Sequence, residues 1–397
     1  MIGAGTTLIF FTFIHFVHDM CPSLLAPLLP LIRESFKLTY FQSGLILSVY
    51  TVTSGFSQLL MGWLGDRGNR EMLIVIGVGG IGIATLAVGL NQSYYTLLFT
   101  LIIMGVLSGA YHPSTISIFP RYFAEQKRGS IVGIHALGGS VGLALGPVLG
   151  GIIAGTIGWR FAYIILSIPS ILATPLVLKT LRAKWQIKGK HFTADKSEVK
   201  TEGKLPGMRQ VLLPILTPLI LVIASQLFVG CILAFLPMYL VDKYAIAPAY
   251  AAMLLGLNRG GAMVGSIAGG QLSDRWGRKQ TVFLAVIASG PIIYLLTILP
   301  FNSAFIVVLA VFGMIIGMRR TAIQTILIDS VDRRRRATVL GLYFCLAVEG
   351  TSLVQPVAGY LMDTFGIIKV FTGLALAMIG LSVVALLLVK KARTNIS

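Results

Sequence analysis

Twelve apolar runs, each of roughly 20 residues or more, dominate this chain and leave little choice of fold. They fall near 7–31, 41–64, 72–90, 94–118, 130–156, 159–180, 211–240, 248–272, 280–300, 303–328, 337–361 and 366–389. A run of that length crosses the hydrocarbon core as a helix, because only a helix satisfies every backbone polar group within one segment. The expected fold is therefore an all-α integral membrane protein of twelve transmembrane helices, here called spans 1 to 12. A content of 56% hydrophobic and 12% charged residues excludes an ordinary soluble domain.

The net charge of +18 would point to nucleic acid in a soluble protein, but its placement removes that partner. Of the 32 Lys and Arg, 24 lie in the connectors after spans 2, 4, 6, 8 and 10 or in the C-terminal tail. Five lie on the other side (Arg33, Lys37, Arg160, Lys243 and Lys369) and three lie inside spans. This asymmetry predicts that both termini are cytoplasmic and that the chain sits in the inner (plasma) membrane. Arg333 to Arg336 are then an anchor at the start of span 11 that can also bind anionic lipid. Cys21, Cys231 and Cys345 lie in spans with no shared spacing, so no disulfide framework or zinc motif is expected, and no cofactor. The first run lacks a basic flank and a cleavage site and is long enough to span, so it is expected to be retained as span 1. A monomer is expected.

Residues 179–210 form the only sustained polar segment, a linker between six-span halves at 1–178 and 211–397. The halves resemble each other at a shift of 208 residues. Gly62-Trp63-Leu64-Gly65-Asp66-Arg67 falls on Gly270-Gln271-Leu272-Ser273-Asp274-Arg275, while Gly105, Gly109, Arg128, Gly133 and Gly142 fall on Gly313, Gly317, Arg336, Gly341 and Gly350. Two related halves about a central site are a known solution to alternating access in transporters.

On these motifs the chain resembles the major facilitator superfamily over nearly its whole length. The signature runs from Gly62 through Asp66 and Arg67 to Arg70, with a fuller copy from Gly270 through Asp274, Arg275 and Gly277 to Arg278 and Lys279. The first copy departs from the pattern at Asn69 and Glu71. The resemblance implies a transporter and not an enzyme, with spans 1, 4, 7 and 10 lining a cavity, 2, 5, 8 and 11 flanking it and 3, 6, 9 and 12 facing lipid. Asp66, Arg67, Arg70, Asp274, Arg275 and Arg278 are candidates for a cytoplasmic latch, in which a carboxylate faces the positive end of a neighbouring helix and nearby Arg.

Seven ionisable residues lie deep in the spans: Asp19, His112, His135, Arg259, Arg319, Arg320 and Glu349. A charge at the bilayer centre costs about 2.5–3.5 kcal/mol even on a lenient scale, so these groups need a partner or water. None lies on span 3, 6, 9 or 12. His15, His18 and Asp19 share one face of span 1 and can share a proton, with Asp19 as the carrier. Histidine and carboxylate together suit a transition metal, but the sequence offers no further ligands to complete such a site, so none is expected. His135 and Glu349 are further proton-coupling candidates, and Glu349 can instead pair with Arg259.

Arg259, Arg320, Arg319, His112, Gln324 and Gln226 are the substrate-binding candidates. His112 lies on a polar stripe with Ser108 and Thr115, beside Pro113, and its repeat partner is Arg320, on a stripe with Gln324. Arg320 is expected to face the cavity, and Arg319 to pair with a carboxylate on a neighbouring helix.

Gly142-Leu-Ala-Leu-Gly146-Pro147 in span 5 resembles the glycine-proline signature of proton-coupled antiporters. Leu101 stands where drug–proton antiporters usually carry an Arg, which counts against a standard multidrug mechanism. His15-Phe-Val-His18-Asp19-Met20 and Tyr111-His112-Pro113-Ser114 resemble segments of the fosmidomycin-resistance subfamily, which implies efflux of small anionic compounds. The expectation is a proton-coupled exporter of a small organic anion. The alternatives are a proton-coupled importer of a carboxylate or multidrug efflux of neutral or cationic compounds.

Overall fold

The computed structural model describes residues 4–67, 69–119, 128–188, 216–330, 343 and 350–394. Span 1 is two helices, α1 (Ala4–Met20) and α2 (Leu25–Phe36), joined by a 3-10 turn at Pro22–Leu24. Pro22 has no N–H to continue the ladder, so the helix breaks there, three residues after Asp19. Span 2 is α3 (Tyr40–Arg67) and span 3 is α4 (Arg70–Leu90). Span 4, expected as one helix, also breaks, into α5 (Tyr94–Ser108) and α6 (Tyr111–Ile118), because Pro113 has no N–H to offer the Gly109 carbonyl and its ring crowds it. The half closes with α7 (Arg128–Ile157) and α8 (Trp159–Lys188).

The second half supplies α9 (Leu216–Tyr244), α10 (Pro248–Trp276), α11 (Arg278–Ile298), α12 (Ser303–Ser330), α13 (Gln355–Phe365) and α14 (Ile367–Thr394). Ten spans among the described residues are long and apolar enough to cross a membrane. The stretch α10 is long enough but is diluted by Asn258, Arg259 and six glycines. Much of span 11, including Glu349 and the Arg333 to Arg336 run, lies outside the described residues. Helices α4 and α8 pack on each other, as do α11 and α14. All four carry exposed apolar residues, among them Ile83, Leu172, Leu284 and Leu387.

The halves meet along two seams toward the face opposite the linker. Helix α7 crosses α10, where a Cβ on Gly151 would lie 2.6 Å from the Ala249 carbonyl and one on Gly256 would lie 2.8 Å from that of Ala144. Helix α3 crosses α13 with the same intimacy, since a Cβ on Gly44 would lie 2.7 Å from the Gln355 carbonyl and one on Gly359 would lie 2.3 Å from that of Tyr40. Gly151 and Gly359 are repeat partners, so small residues close both seams. Among the described residues, only the second seam has a carboxylate. Asp363 of α13 accepts hydrogen bonds from the Tyr40 and Phe41 amides at 2.8 and 2.9 Å, capping α3 from the other half. Beside it Arg33 of α2 pairs with Asp242 of α9 at 3.2 Å, and the Tyr40 hydroxyl also bonds Asp242.

Candidate functional site

Four of the chain's five histidines converge on Asp19 or on each other. The Asp19 Oδ2 lies 3.1 Å from His15 Nε2, and Oδ1 lies 2.8 Å from His18 Nδ1 and 3.4 Å from His112 Nε2. Spacings of three and four residues bring His15, His18 and Asp19 of α1 to one face, and the break before Tyr111 sets α6 so that His112 meets them. From α7, the His135 backbone carbonyl accepts from His15 Nδ1 at 2.8 Å, and the His135 ring stacks on His15 at 4.3 Å while bonding the Phe11 carbonyl at 3.2 Å. The Tyr111 ring stacks on His18 at 4.4 Å. Gly139 completes the enclosure: a Cβ there would lie 2.4 Å from His15 Nε2 and 2.6 Å from Asp19 Oδ2, so only glycine lets α7 come this close.

His15, Asp19 and His112 offer three donor atoms within 4.8 Å of one another. Each is already engaged in the hydrogen-bonded cluster, and no fourth protein donor joins them among the described residues.

The cluster opens on a cavity of about 360 Å³ between the halves. Asp19 and His112 line one wall with Tyr50 and Ser108, whose hydroxyls are 3.2 Å apart, and Arg259 of α10 lines the other. Arg320 lies within electrostatic reach of Arg259. Neither forms an ion pair among the described residues, and Glu349, the expected partner of Arg259, lies outside them.

Arg319 takes a different course. It is 2% exposed, donates to Ser225 Oγ at 2.6 Å and also bonds Gln226 Oε1, both on α9. The expected carboxylate partner is thus replaced by a hydroxyl and an amide. Gln226, expected at the substrate, is engaged by Arg319, while Gln324 is half-buried one turn beyond Arg320.

At the signature loops, Arg70 bonds the Gly65 carbonyl at 3.0 Å and the Ser117 carbonyl at 3.2 Å, and its repeat partner Arg278 pairs with Asp329. Arg67 stacks over Trp63 at 3.9 Å. Asp274 and Arg275 are exposed, and Asp274 has no ion pair among the described residues; the Asp66 side chain lies outside them. Asn69 departs from the expected glycine because it sits at φ −90° and caps α4 through its side chain, whereas Gly277 takes φ 99°.

The sequence reading missed Tyr111, Ser225, Gly139 and the Asp242 and Asp363 contacts. The last two had a signal: with Glu34 they are the only acids on the face opposite the linker.

A family model described as Major Facilitator Superfamily matches residues 11–349. The chain belongs to that superfamily. It is a multi-pass inner-membrane secondary transporter of small molecules and not an enzyme. Among its superfamily relatives, the Fosmidomycin resistance protein of Escherichia coli (strain K12) is 24% identical over 352 residues, covering 88% of this chain and 84% of that protein. The multidrug resistance protein MdtG of Escherichia coli is 28% identical over 275 residues, covering 67% of this chain and 66% of that one. A bacterial homolog of the human lysosomal transporter Spinster, inward-facing and unoccupied, superposes with a TM-score of 0.75 at 18% identity, over 97% of this chain and 95% of that one. The peptide transporter POT in complex with sulfate superposes with a TM-score of 0.73 at 14% identity, over 97% and 94%. At these identities the two structures bear on the fold alone.

Proposed function

We propose that this transporter is proton-coupled and exports a small organic anion, with both termini and the linker face in the cytoplasm. One observation carries the reading: a single cavity has Asp19 and His112 on one wall, with His15 and His18 buried behind the carboxylate, and an arginine on the other. Arginines bind anions by charge-assisted hydrogen bonds and do not titrate, so Arg259 and Arg320 suit the substrate. Asp19 and its histidines are the groups that can gain and lose a proton. With the linker face cytoplasmic, the seams around Asp363 and Gly151 close the outside and the cavity belongs to an inward-facing state. Asp66 and Asp274 would then act as latches in the opposite state, when the linker face closes.

The direction rests on the likeness to the Fosmidomycin resistance protein and to MdtG. A second reading, anion import with protons, has its own support. Asp19 and Arg259 line the same cavity, and a proton on one wall favours an anion on the other, which is the sign for joint transport.

Fosmidomycin flux in proteoliposomes separates the readings. Export predicts that fosmidomycin moves against an imposed proton gradient. Movement down the gradient, together with protons, would establish the import reading, and flux indifferent to the gradient would remove proton coupling altogether.

A further inference from the structure

The three imidazoles around Asp19 are held in three different ways. We infer that they have three different jobs: His15 shares one transferable proton with Asp19, His18 is a fixed neutral donor, and His112 passes the proton between that pair and the cavity. This rests on the proton-coupled reading above and divides its labour.

Hydrogen-bond logic assigns His15 first. A backbone carbonyl can only accept, so the 2.8 Å contact from His15 Nδ1 to the His135 carbonyl places a proton permanently on Nδ1. The remaining nitrogen, Nε2, faces Asp19 Oδ2 at 3.1 Å. That contact is a hydrogen bond only if a proton lies in it, either on Nε2 beside a carboxylate or on Oδ2 beside a neutral imidazole. The two arrangements differ by transfer of one proton and hold the same total. If the proton leaves, a nitrogen lone pair faces a carboxylate oxygen and the contact must widen. His135 is therefore a positioning residue: its carbonyl selects the tautomer, and its own ring is occupied at the Phe11 carbonyl.

His18 is constrained in the opposite sense. Its Nδ1 meets Asp19 Oδ1 at 2.8 Å, while its Nε2 is buried with no hydrogen-bond partner. A proton on Nε2 would be a buried donor without an acceptor, costing more than an unused lone pair. His18 thus stays neutral, protonated on Nδ1, under the stacked Tyr111 ring.

His112 has the access that the others lack. Its side chain is 35% exposed, lines the cavity and reaches Asp19 Oδ1 at 3.4 Å. The opposite side of the pair is shut by the α7 backbone at Gly139. A proton entering at His112 Nδ1 from cavity water is balanced by the Nε2 proton leaving to Oδ1, and a half-turn of the carboxyl group presents it to His15. The other groups facing the cluster are Tyr111 on α6, His135 on α7, Cys21 in the turn after α1 and, across the cavity, Arg259 on α10. Helices α4 and α8 carry their charges toward their ends, at Arg70, Glu71 and Arg160 and from Lys179 onward.

The test is nitrogen-15 NMR of the full chain, labelled at its five histidines and held in lipid bilayers, across pH. His15→Asn, His18→Asn and His112→Gln assign the signals. His18 should remain neutral and protonated on Nδ1 throughout, His15 should keep its Nδ1 proton while Nε2 changes, and His112 should follow the bulk. His18→Asn, whose amide reproduces the Nδ1–H, should leave the His15 transition in place. His112→Gln, which donates but cannot relay, should slow proton exchange at His15 Nε2 at least tenfold without altering its end states. A His18 signal that becomes charged, or a His15 exchange rate unchanged in His112→Gln, overturns the assignment. The spectra need no substrate: altered spectra with proton-driven fosmidomycin flux intact sink the division of labour alone, and expected spectra without that flux sink the transport reading alone.

Discussion

The two halves place different chemistry at the same repeat positions. His18, Tyr111, His112 and His135 of the first half correspond to Gln226, Arg319, Arg320 and Tyr343 of the second. In the first half Tyr111 stacks on His18; in the second Arg319 hydrogen-bonds Gln226. The decisive difference is that Asp19 and His15 correspond to Leu227 and Ile223. At these repeat positions the second half has neither a carboxylate nor an imidazole but permanent positive charge, and its one deep acid, Glu349, lies outside the described residues. The two halves keep a related backbone frame, and at these positions one carries a titrating group and the other a fixed one. The frame is itself bent differently, since spans 1 and 4 break beside the Asp19 cluster whereas α9 and α12 run unbroken past Arg319.

Asp19→Asn attacks this division most directly. Proton-driven net flux of fosmidomycin should fall by about 100-fold while substrate exchange, which moves no net proton, stays near wild type. Equal loss of both would show that Asp19 holds structure and not a proton. In the second half, Arg259→Gln and Arg320→Gln should each weaken fosmidomycin binding by about 2 kcal/mol or more, roughly thirtyfold. Arg319→Gln should instead lower unfolding stability by about 1–3 kcal/mol, because Ser225 and Gln226 lose their buried partner, and leave affinity unchanged. Isothermal titration and thermal unfolding of the three variants, side by side, separate a binding arginine from a structural one.

The glycine at the proton pair offers a finer cut. Gly139→Ala should cost about 1–3 kcal/mol and disturb proton coupling, whereas Gly133→Ala, with nothing within 4 Å of its added methyl, should be neutral or slightly stabilising in the same helix. Comparable losses in both would mean that α7 resists alanine generally. The smallest effect is expected at the seam. Asp363→Asn should shift the population toward an outward-open state by about 1 kcal/mol, roughly fivefold. Labelling of a cysteine at Thr51, in a background without native cysteines, reports it through an impermeant reagent added outside.

Much of the fold was legible because burial in lipid leaves a long, simple signal. Span 3 was expected at 72–90 and runs Arg70–Leu90; span 9 was expected at 280–300 and runs Arg278–Ile298. The breaks were not legible in the same way. Pro22 and Pro113 stand at the two breaks, but a proline in a membrane helix does not by itself announce one, since Pro147, Pro237 and Pro291 lie inside unbroken helices here. At the site, periodicity alone put His15, His18 and Asp19 on one face. Which nitrogen of His15 carries the fixed proton depends on the carbonyl of residue 135, which no local pattern predicts. Arg319 and Arg320 show the same limit: their stripes separate them in the sequence, but that Arg319 meets a hydroxyl and an amide of α9 and not a carboxylate depends on packing between helices.

The cap on α3 has a consequence of its own. Tyr40 and Phe41 occupy the first turn, where amides lack partners within their own helix, and both are bonded to a carboxylate that arrives only when the halves are closed on that face. Each opening of the seam must therefore release two particular backbone protons to solvent. Their hydrogen–deuterium exchange is a built-in clock for the transport cycle, running in the unmodified protein, and its slowing or quickening with pH or ligand would count the outward excursions without any attached label.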